Sequence, residues 1–265
     1  MTSDIKTILV IGATGSVGRL VVSQALKAGF VVKALSRTPS KAQRVLPPQV
    51  MLTQGDVSNI SALLTAVAGV DAIVFTHGSD GSGKTGARSV DYGAVRNTLL
   101  ALAGRPVRIA LMTSIGVTNR TGQYNRATEA HDWKRRGERL VRASGLPYTI
   151  VRPGWFDYND EHQHKLEFLQ GDKRHAGDPS DGVVSREQIA QVLLASLTMD
   201  AAAGKTFELV AGNGPAQSDL GSLFSALAAD VPGHLDAVRD SSNMPVQNEP
   251  QHVLDDLDAI ASSAN

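Results

Sequence analysis

Three glycines at intervals of three, Gly12, Gly15 and Gly18, stand between the apolar run Ile8 to Ile11 and a second apolar series, Val17, Leu20, Val21, Val22 and Ala25. A short apolar run, a glycine turn and apolar residues at helical spacing read as a buried strand passing tightly into a helix that ends near Gly29. The chemistry this permits is anion binding. Gly12 allows the sharp turn, Gly15 lets backbone approach a diphosphate, and Gly18 lets the helix pack closely on the strand. Thr14, Ser16 and Val17 complete the turn, whose amides and positive helix end face the anion.

Further candidates follow in chain order. Arg37 stands just past a second strand, Phe30 to Leu35, with Lys41 close behind and no acid between them. That position meets the adenosine ribose in dinucleotide folds, where a basic residue accommodates the extra phosphate of NADP, so NADP(H) is the expected cofactor. A third strand, Val50 to Val57, ends in Gly55-Asp56-Val57, where Asp56 can accept a hydrogen bond from an adenine amino group. A capped helix from about Asn59 to Val67 and a fourth strand, Asp71 to Thr76, come next. His77 and Gly78 then open a loop expected to line the cofactor. Gly78 to Thr85 also satisfies the nucleoside triphosphatase pattern of Gly, four residues and Gly-Lys-Thr. No later strand clearly ends in the acid such enzymes use for their metal, so a loop beside the cofactor before a helix near Val90 is the preferred reading.

Val107 to Gly116 reads as a fifth strand with Ser114 at its carboxyl end, where open α/β sheets place their chemistry. A polar loop from Asn119 to Thr128, a helix from Glu129 to Ala143 and a sixth strand, Tyr148 to Arg152, lead to Pro153-Gly154. Residues 155–182 combine Trp155, Phe156, Tyr158, His162, His164, Phe168 and His175. This stretch reads as a substrate cover with a helix from Asp160 to Leu169. His162 and His164 are two apart and do not share a helical face, so no metal is expected there. A capped helix begins at Ser185, a seventh strand covers Lys205 to Val210, a helix covers Asp219 to Ala229, and a short acidic helix near His252 to Ala261 closes the chain.

The chain has 265 residues, with Lys plus Arg and Asp plus Glu both 26 and no cysteine. The balanced charge disfavours nucleic acid and anionic membranes as partners. Lack of cysteine excludes disulfides and thiolate chemistry and fits a reducing compartment. No apolar run approaches membrane-spanning length and the start leaves no room for a signal peptide, so a cytoplasmic protein is expected. Strands alternating with helices imply an α/β fold with a Rossmann-type, doubly wound, mostly parallel sheet flanked by helices. The expected organisation is one domain over 1–235, its cover at about 153–182, and a tail over 236–265. No apolar helix pair suited to dimer packing stands out, which points to a monomer acting on a small-molecule substrate.

Gly12-Ala-Thr-Gly15-Ser-Val-Gly18, Ser36-Arg37, Gly55-Asp56-Val57, Ser114-Ile-Gly116, Lys134-Arg-Arg-Gly-Glu138, Ser144 to Gly154 and Val184-Ser-Arg-Glu187 occur in an order that resembles the atypical short-chain dehydrogenase/reductases, in particular the NmrA-like NAD(P)-binding group. The resemblance spans about residues 5–212. It implies NADP(H) seated along the strand ends, Ser114 beside the nicotinamide, Lys134 on its ribose, and Pro153, Gly154 and Trp155 flanking the ring.

One departure bears on the reaction. The family's catalytic tyrosine lies one helical turn before the lysine, and here that place is Ala130. Alanine transfers no proton. Either Tyr124, Tyr158 or His131 serves as acid, or the acceptor is a conjugated molecule of quinone or azo type whose reduced anion water can protonate, or the chain binds NADP(H) without chemistry as a redox sensor or partner-binding module. Isomerase or epimerase chemistry is a further alternative. A positioned general acid is worth about 10²- to 10⁴-fold, which favours the conjugated acceptor.

Overall fold

The run Thr7–Ile11 alternates between two interiors. Ile8 and Val10 enter one apolar layer, Leu9 and Ile11 the other, and all four are fully buried. A strand covered on both faces must be apolar throughout, which is why this run lacks polar alternation. The computed structural model describes residues 5–79 and 81–263; residues 1–4, 264–265 and Asp80 of the Gly78 to Thr85 stretch lie outside them.

The strands are β1 (Thr7–Ile11), β2 (Val31–Ser36), β3 (Met51–Gln54), β4 (Ala72–Phe75), β5 (Arg108–Met112), β6 (Tyr148–Pro153), β7 (Trp155–Phe156), β8 (Lys165–Leu169), β9 (Val183–Val184) and β10 (Lys205–Gly212). They form one sheet in the order β3-β2-β1-β4-β5-β6-β10-β9-β7, with β8 on β10. Pairing is parallel from β3 through β6 to β10 and antiparallel where β8 and β9 meet β10. This is the expected Rossmann-type, doubly wound α/β architecture. The strand order reverses between β1 and β4, where Ile11 pairs with Phe75 and both strands end. Ligands of open α/β sheets bind outside the carboxyl ends of strands at such a point.

The helices are α1 (Ser16–Lys27), α2 (Pro39–Ala42), α3 (Ile60–Ala66), α4 (Gly83–Gly86), α5 (Gly93–Leu102), α6 (Gln123–Thr128), α7 (Ala130–Ala143), α8 (Arg186–Thr198), α9 (Gly221–Ala226) and α10 (Gln251–Ser263). Residues of α1, α8 and α9 cover one face of the sheet; residues of α3, α5, α7 and α10 cover the other. A π-helical segment, Ala87–Tyr92, joins α4 to α5, so the helix expected near Val90 starts earlier. Among the described residues no helix is long and apolar enough to cross a membrane.

The cover departs from expectation. Asp160 to Leu169 forms no helix; its second half is β8, antiparallel to β10. Leu166 is buried and Phe168 stacks on Phe207 with ring centroids 4.3 Å apart, so the apolar positions recur every two residues, the period of a strand. Two short strands, β7 inside the cover and β9 just after it, also pair. Within the polar stretch expected as loop from Asn119 to Thr128, α6 forms a short helix.

The helix α7 inverts the usual rule that charged faces meet water. Arg135 and Arg139 have fully buried side chains, and Arg136 and Arg142 are nearly so. Their partners come largely from the chain beyond residue 229. Asp236 accepts from Arg135 at 3.0 Å and from Arg139 at 2.8 Å, and Glu249 accepts from Arg136 and Arg139, both at 2.7 Å. Asp230 receives Arg142 at 3.3 Å. Together these pairs lay the C-terminal segment against α7, while Val253, Leu257 and Ile260 of α10 join the apolar layer beneath.

Candidate cofactor site

At the switch point the backbone leaves a cradle that side chains would fill. Gly12 has φ +88°, and a Cβ there would lie 2.6 Å from the His77 nitrogen at the end of β4. A Cβ on Gly18 would lie 2.1 Å from the Gly12 carbonyl oxygen, so glycine alone lets α1 sit this close to β1. The Gly15 amide donates to the Gly12 oxygen at 2.9 Å and closes the turn. Thr14, Gly15 and Ser16 are exposed at the amino end of α1, whereas Val17 turns into the core. This open rim at a helix amino terminus suits a diphosphate.

Next to it, β2 and β3 bring Arg37 and Asp56 together, with Arg37 Nε 3.7 Å from Asp56 Oδ2 and the arginine largely exposed. Asp56 Oδ1 accepts the Ser58 amide at 2.8 Å. That hydrogen bond first, and Arg37 after it, hold the Asp56 carboxyl below its ordinary range. Lys41 is exposed on α2, and the Val57 carbonyl is taken by Asn97 Nδ2 at 2.9 Å. The basic residues therefore face outward at the edge that would meet an adenosine phosphate.

The opposite end is held by buried charge. Lys134 Nζ donates to Asp91 Oδ1 at 2.6 Å; the Asp91 side chain is 1% exposed and that of Lys134 18%. Asp91 also accepts the hydroxyl of Ser79 at 2.7 Å, and its backbone oxygen lies 3.2 Å from His77 Nε2. Burial lowers the His77 pKa against the pull of Asp91, so this imidazole is neutral near pH 7, with Nδ1 buried and unpartnered among the described residues. Beside it, His77, Asp91, Thr113 and Lys134 help to line a cavity of about 10 Å³, room for about one water. Gly78 is exposed at the mouth of the same loop. Lys84, the lysine of the triphosphatase pattern, is committed to Glu129 at 2.9 Å.

Ser114 is half-buried two residues beyond β5. Its loop hangs on acids that the sequence reading missed. Asp172 accepts the amides of Gly116 and Thr118 at 2.6 and 2.7 Å, and its own amide donates to Glu208 at 3.0 Å. Glu208 is pushed up to about 7 by burial, with Arg152 opposing and Asp172 adding to the shift. On the other side Thr113 donates to Glu138 at 2.8 Å, and Glu138 receives Arg152 at 2.6 Å. Burial alone would raise Glu138, but Arg152 and Arg142 hold it below its ordinary value.

The two tyrosines go to different neighbours. Tyr124 is exposed on α6 with its ring 5.1 Å from that of His131, whose pKa burial lowers. Tyr158 is exposed and meets Trp155 edge-on at 6.1 Å. Neither hydroxyl has a hydrogen-bonding partner among the described residues. Pro153 and Gly154 are buried, and a Cβ on Gly154 would lie 2.4 Å from the Gly182 oxygen, so the cover crosses here at backbone contact. A groove of about 740 Å³ opens along α1 and α8, where Leu20, Asp157, His164 and Arg186 help to line it. Neither Ser114 nor Lys134 lines this groove, so size alone does not mark where the chemistry sits.

Arg186, at the start of α8, reaches across to Ser16 Oγ at 3.0 Å and was not anticipated as part of the site. Asp91 had a legible signal: it is the one acid from residue 81 to residue 128, on a helix that must bury one face. For Asp172 and Glu208 no local pattern marks the role.

The chain matches the NAD(P)H-binding family over residues 12–200. It is 26% identical over 250 residues to "Uncharacterized protein At2g37660, chloroplastic" of Arabidopsis thaliana, covering 84% of this chain and 76% of that one. It is 27% identical over 156 residues to quinone oxidoreductase 2 of Escherichia coli, covering 57% and 50%. The oxidoreductase ylbE from Lactococcus lactis shares the fold with a TM-score of 0.65 at 17% identity, over 83% of this chain and 96% of that one. With its glycine cradle at the switch point and Lys134 at the far end of the cleft, the chain belongs to the NAD(P)H-binding family and is an atypical short-chain dehydrogenase/reductase.

Proposed function

We propose that the chain is an NADPH-dependent oxidoreductase that reduces a small conjugated or aromatic acceptor, of quinone or azo type, without a tyrosine proton donor. The observation that carries this reading is Ala130. It lies one helical turn before Lys134, is 2% exposed and packs in the core layer with Trp133. A methyl group there neither gives nor accepts a proton.

The cradle at Gly12 to Gly18 fits a diphosphate because the space a Cβ would take is already closed by backbone. Gly12, Thr14, Gly15, Ser16, Val17 and Gly18 would hold that diphosphate, Arg37 and Lys41 the 2′-phosphate, and Asp56 and Val57 the adenine. His77, Gly78, Ser114, Lys134, Pro153, Gly154 and Trp155 would surround the nicotinamide half. When bound, the reduced nicotinamide supplies a hydride. Lys134, fixed by Asp91, keeps two further N–H bonds for a ribose hydroxyl and places positive charge where the acceptor gains negative charge. His131, with its pKa lowered by burial, is a neutral imidazole and a poor acid. A conjugated acceptor needs none, because its charge spreads over the ring and solvent can protonate it. The similarity to quinone oxidoreductase 2 supports the acceptor class.

The test is steady-state NADPH oxidation. Naphthoquinones and azo dyes are expected to turn over faster than aldehydes and simple ketones, and a preference for simple carbonyls would overturn the reading. The contact of Tyr124 with His131 favours a second reading in which Tyr124 is the acid. Tyr124→Phe then costs about 10²-fold or more in kcat, whereas the first reading leaves kcat unchanged.

A further inference from the structure

Arg186 carries a positive charge into a place that opposes it. It is the first residue of α8, and its Nε donates to the hydroxyl of Ser16, the first residue of α1. The guanidinium thus lies at the positive ends of two helices, where a cation is destabilised unless an anion joins it. One anion is present: Asp157 accepts the Arg186 amide at 2.8 Å and pairs with Nη1. The guanidinium lies over the Phe156 ring, 5.1 Å from its centroid. Gln24 Nε2 donates to the Glu187 oxygen at 3.1 Å, so the start of α8 is also tied to the later part of α1. Nη2 has no partner among the described residues, and a planar fork of this kind can hold two acceptors at once.

We propose that Arg186 is a diphosphate-binding residue of the cofactor site, and that the diphosphate competes with Asp157 for its guanidinium. The inference rests on the NADPH-dependent reading above. It follows that filling the phosphate seat changes the hold on Asp157, and Asp157 stands between Phe156 and Tyr158 in the segment that bears Trp155. Asp157 has φ +60°, a left-handed backbone that asparagine also tolerates. Cofactor occupancy is thereby passed to the aromatic segment beside the nicotinamide end through one side chain.

The experiment is titration of the full-length chain with NADPH and with dihydronicotinamide riboside, which carries no phosphate, for the wild type, Arg186→Ala, Arg186→Lys and Asp157→Asn. Thermal unfolding without cofactor checks that each variant is folded. Arg186→Ala is expected to raise the NADPH Kd about 10- to 100-fold and leave the riboside within about twofold. Arg186→Lys, which keeps the charge without the fork, is expected to weaken NADPH about 3- to 10-fold and keeps the test open should the alanine variant not fold. Asp157→Asn removes the competing charge and is expected to leave NADPH binding as tight as wild type or tighter. The proposal is overturned if NADPH binding by the arginine variants stays within twofold of wild type, or if Asp157→Asn weakens it as much as Arg186→Ala, because the pair would then be a structural tie alone. Absence of NADPH binding by the wild type would instead overturn the cofactor reading, and this inference with it.

Discussion

At Gly12, Gly15 and Gly18 the proposed cofactor cleft is shaped by side chains that are missing; at Lys134, Asp91, Glu138 and Arg152 it is held by side chains that are charged and buried. The phosphate end needs only backbone, because a tight turn and a close helix place amides toward an anion without desolvating any ionised group. The proposed nicotinamide end places Asp91 at 1% exposure against Lys134, and Arg152 and Glu138 at 0% against each other. Burying such groups costs several kcal/mol per ion unless each finds partners, so this end must be satisfied as a network. Its outer members, Asp230, Asp236, Asp240 and Glu249, come from the C-terminal segment. Asn243 of that segment also bonds the Thr118 carbonyl at 2.8 Å, so the loop after Ser114 and the tail share one support. The glycine end is local and self-sufficient, whereas the charged end depends on chain far away.

Breaking the charged end should have the largest effect. Arg139→Met strands Glu249 and Asp236 with one arginine partner each and is expected to cost about 3–5 kcal/mol, read as the shift in a urea unfolding curve. A loss below about 1 kcal/mol would mean that the network is dispensable and the contrast false. Glu208 supplies a pH test of the same end, faced by Arg152 at 3.3 Å, by Asp172 and by Asp240. Its pKa rises from 4.5 to about 7 on folding, so the folded chain holds this proton more tightly. The resulting stabilisation is full below pH 4.5 and is lost as pH rises through 7, a change of about 3 kcal/mol. Glu208→Gln should flatten that slope in denaturation curves taken from pH 5 to 8; an unchanged slope would remove Glu208 from the account.

At the phosphate end, Gly18→Ala places a methyl 2.1 Å from a carbonyl oxygen and is expected to cost about 1–3 kcal/mol with weakened binding of both NADPH and NADH. That loss should be insensitive to pH over the window in which Glu208 acts. Arg37→Ala should have the smallest effect. Its side chain is 82% exposed, so about 1 kcal/mol of NADPH affinity is expected to go, roughly fivefold in Kd, with NADH spared. Equal losses for the two cofactors in fluorescence titration would show that Arg37 does not meet a 2′-phosphate.

Much of the first half of the fold was legible. The glycines, β1 and α1 lie within 21 residues of one another and are governed by local sterics, so spacing alone places them. Arg37 and Asp56 follow because they end adjacent parallel strands. The Asp160 to Leu169 segment misled because five strand residues show barely two periods, too few to separate from a helix until Phe207 and Phe224 supply the surface they pack on. The helix α7 was placed well, but nothing nearby in sequence shows that its arginines are buried.

The sequence by itself determined the glycine cradle, the basic side chain at Arg37 and the methyl group of Ala130 one helical turn before Lys134. Each is a property of one residue or of neighbours a few positions apart, and a backbone constraint or an absent functional group needs no partner to be read. Only the tertiary structure decided that Lys134 is tied to Asp91, that the loop after Ser114 hangs from Asp172 through Gly116 and Thr118, and that the arginines of α7 are buried. Arg139 and Asp236 are 97 residues apart and Arg186 and Ser16 are 170 apart. Whether a charge faces water or an opposite charge depends on which distant segment is laid across it, and that is settled when the layers close.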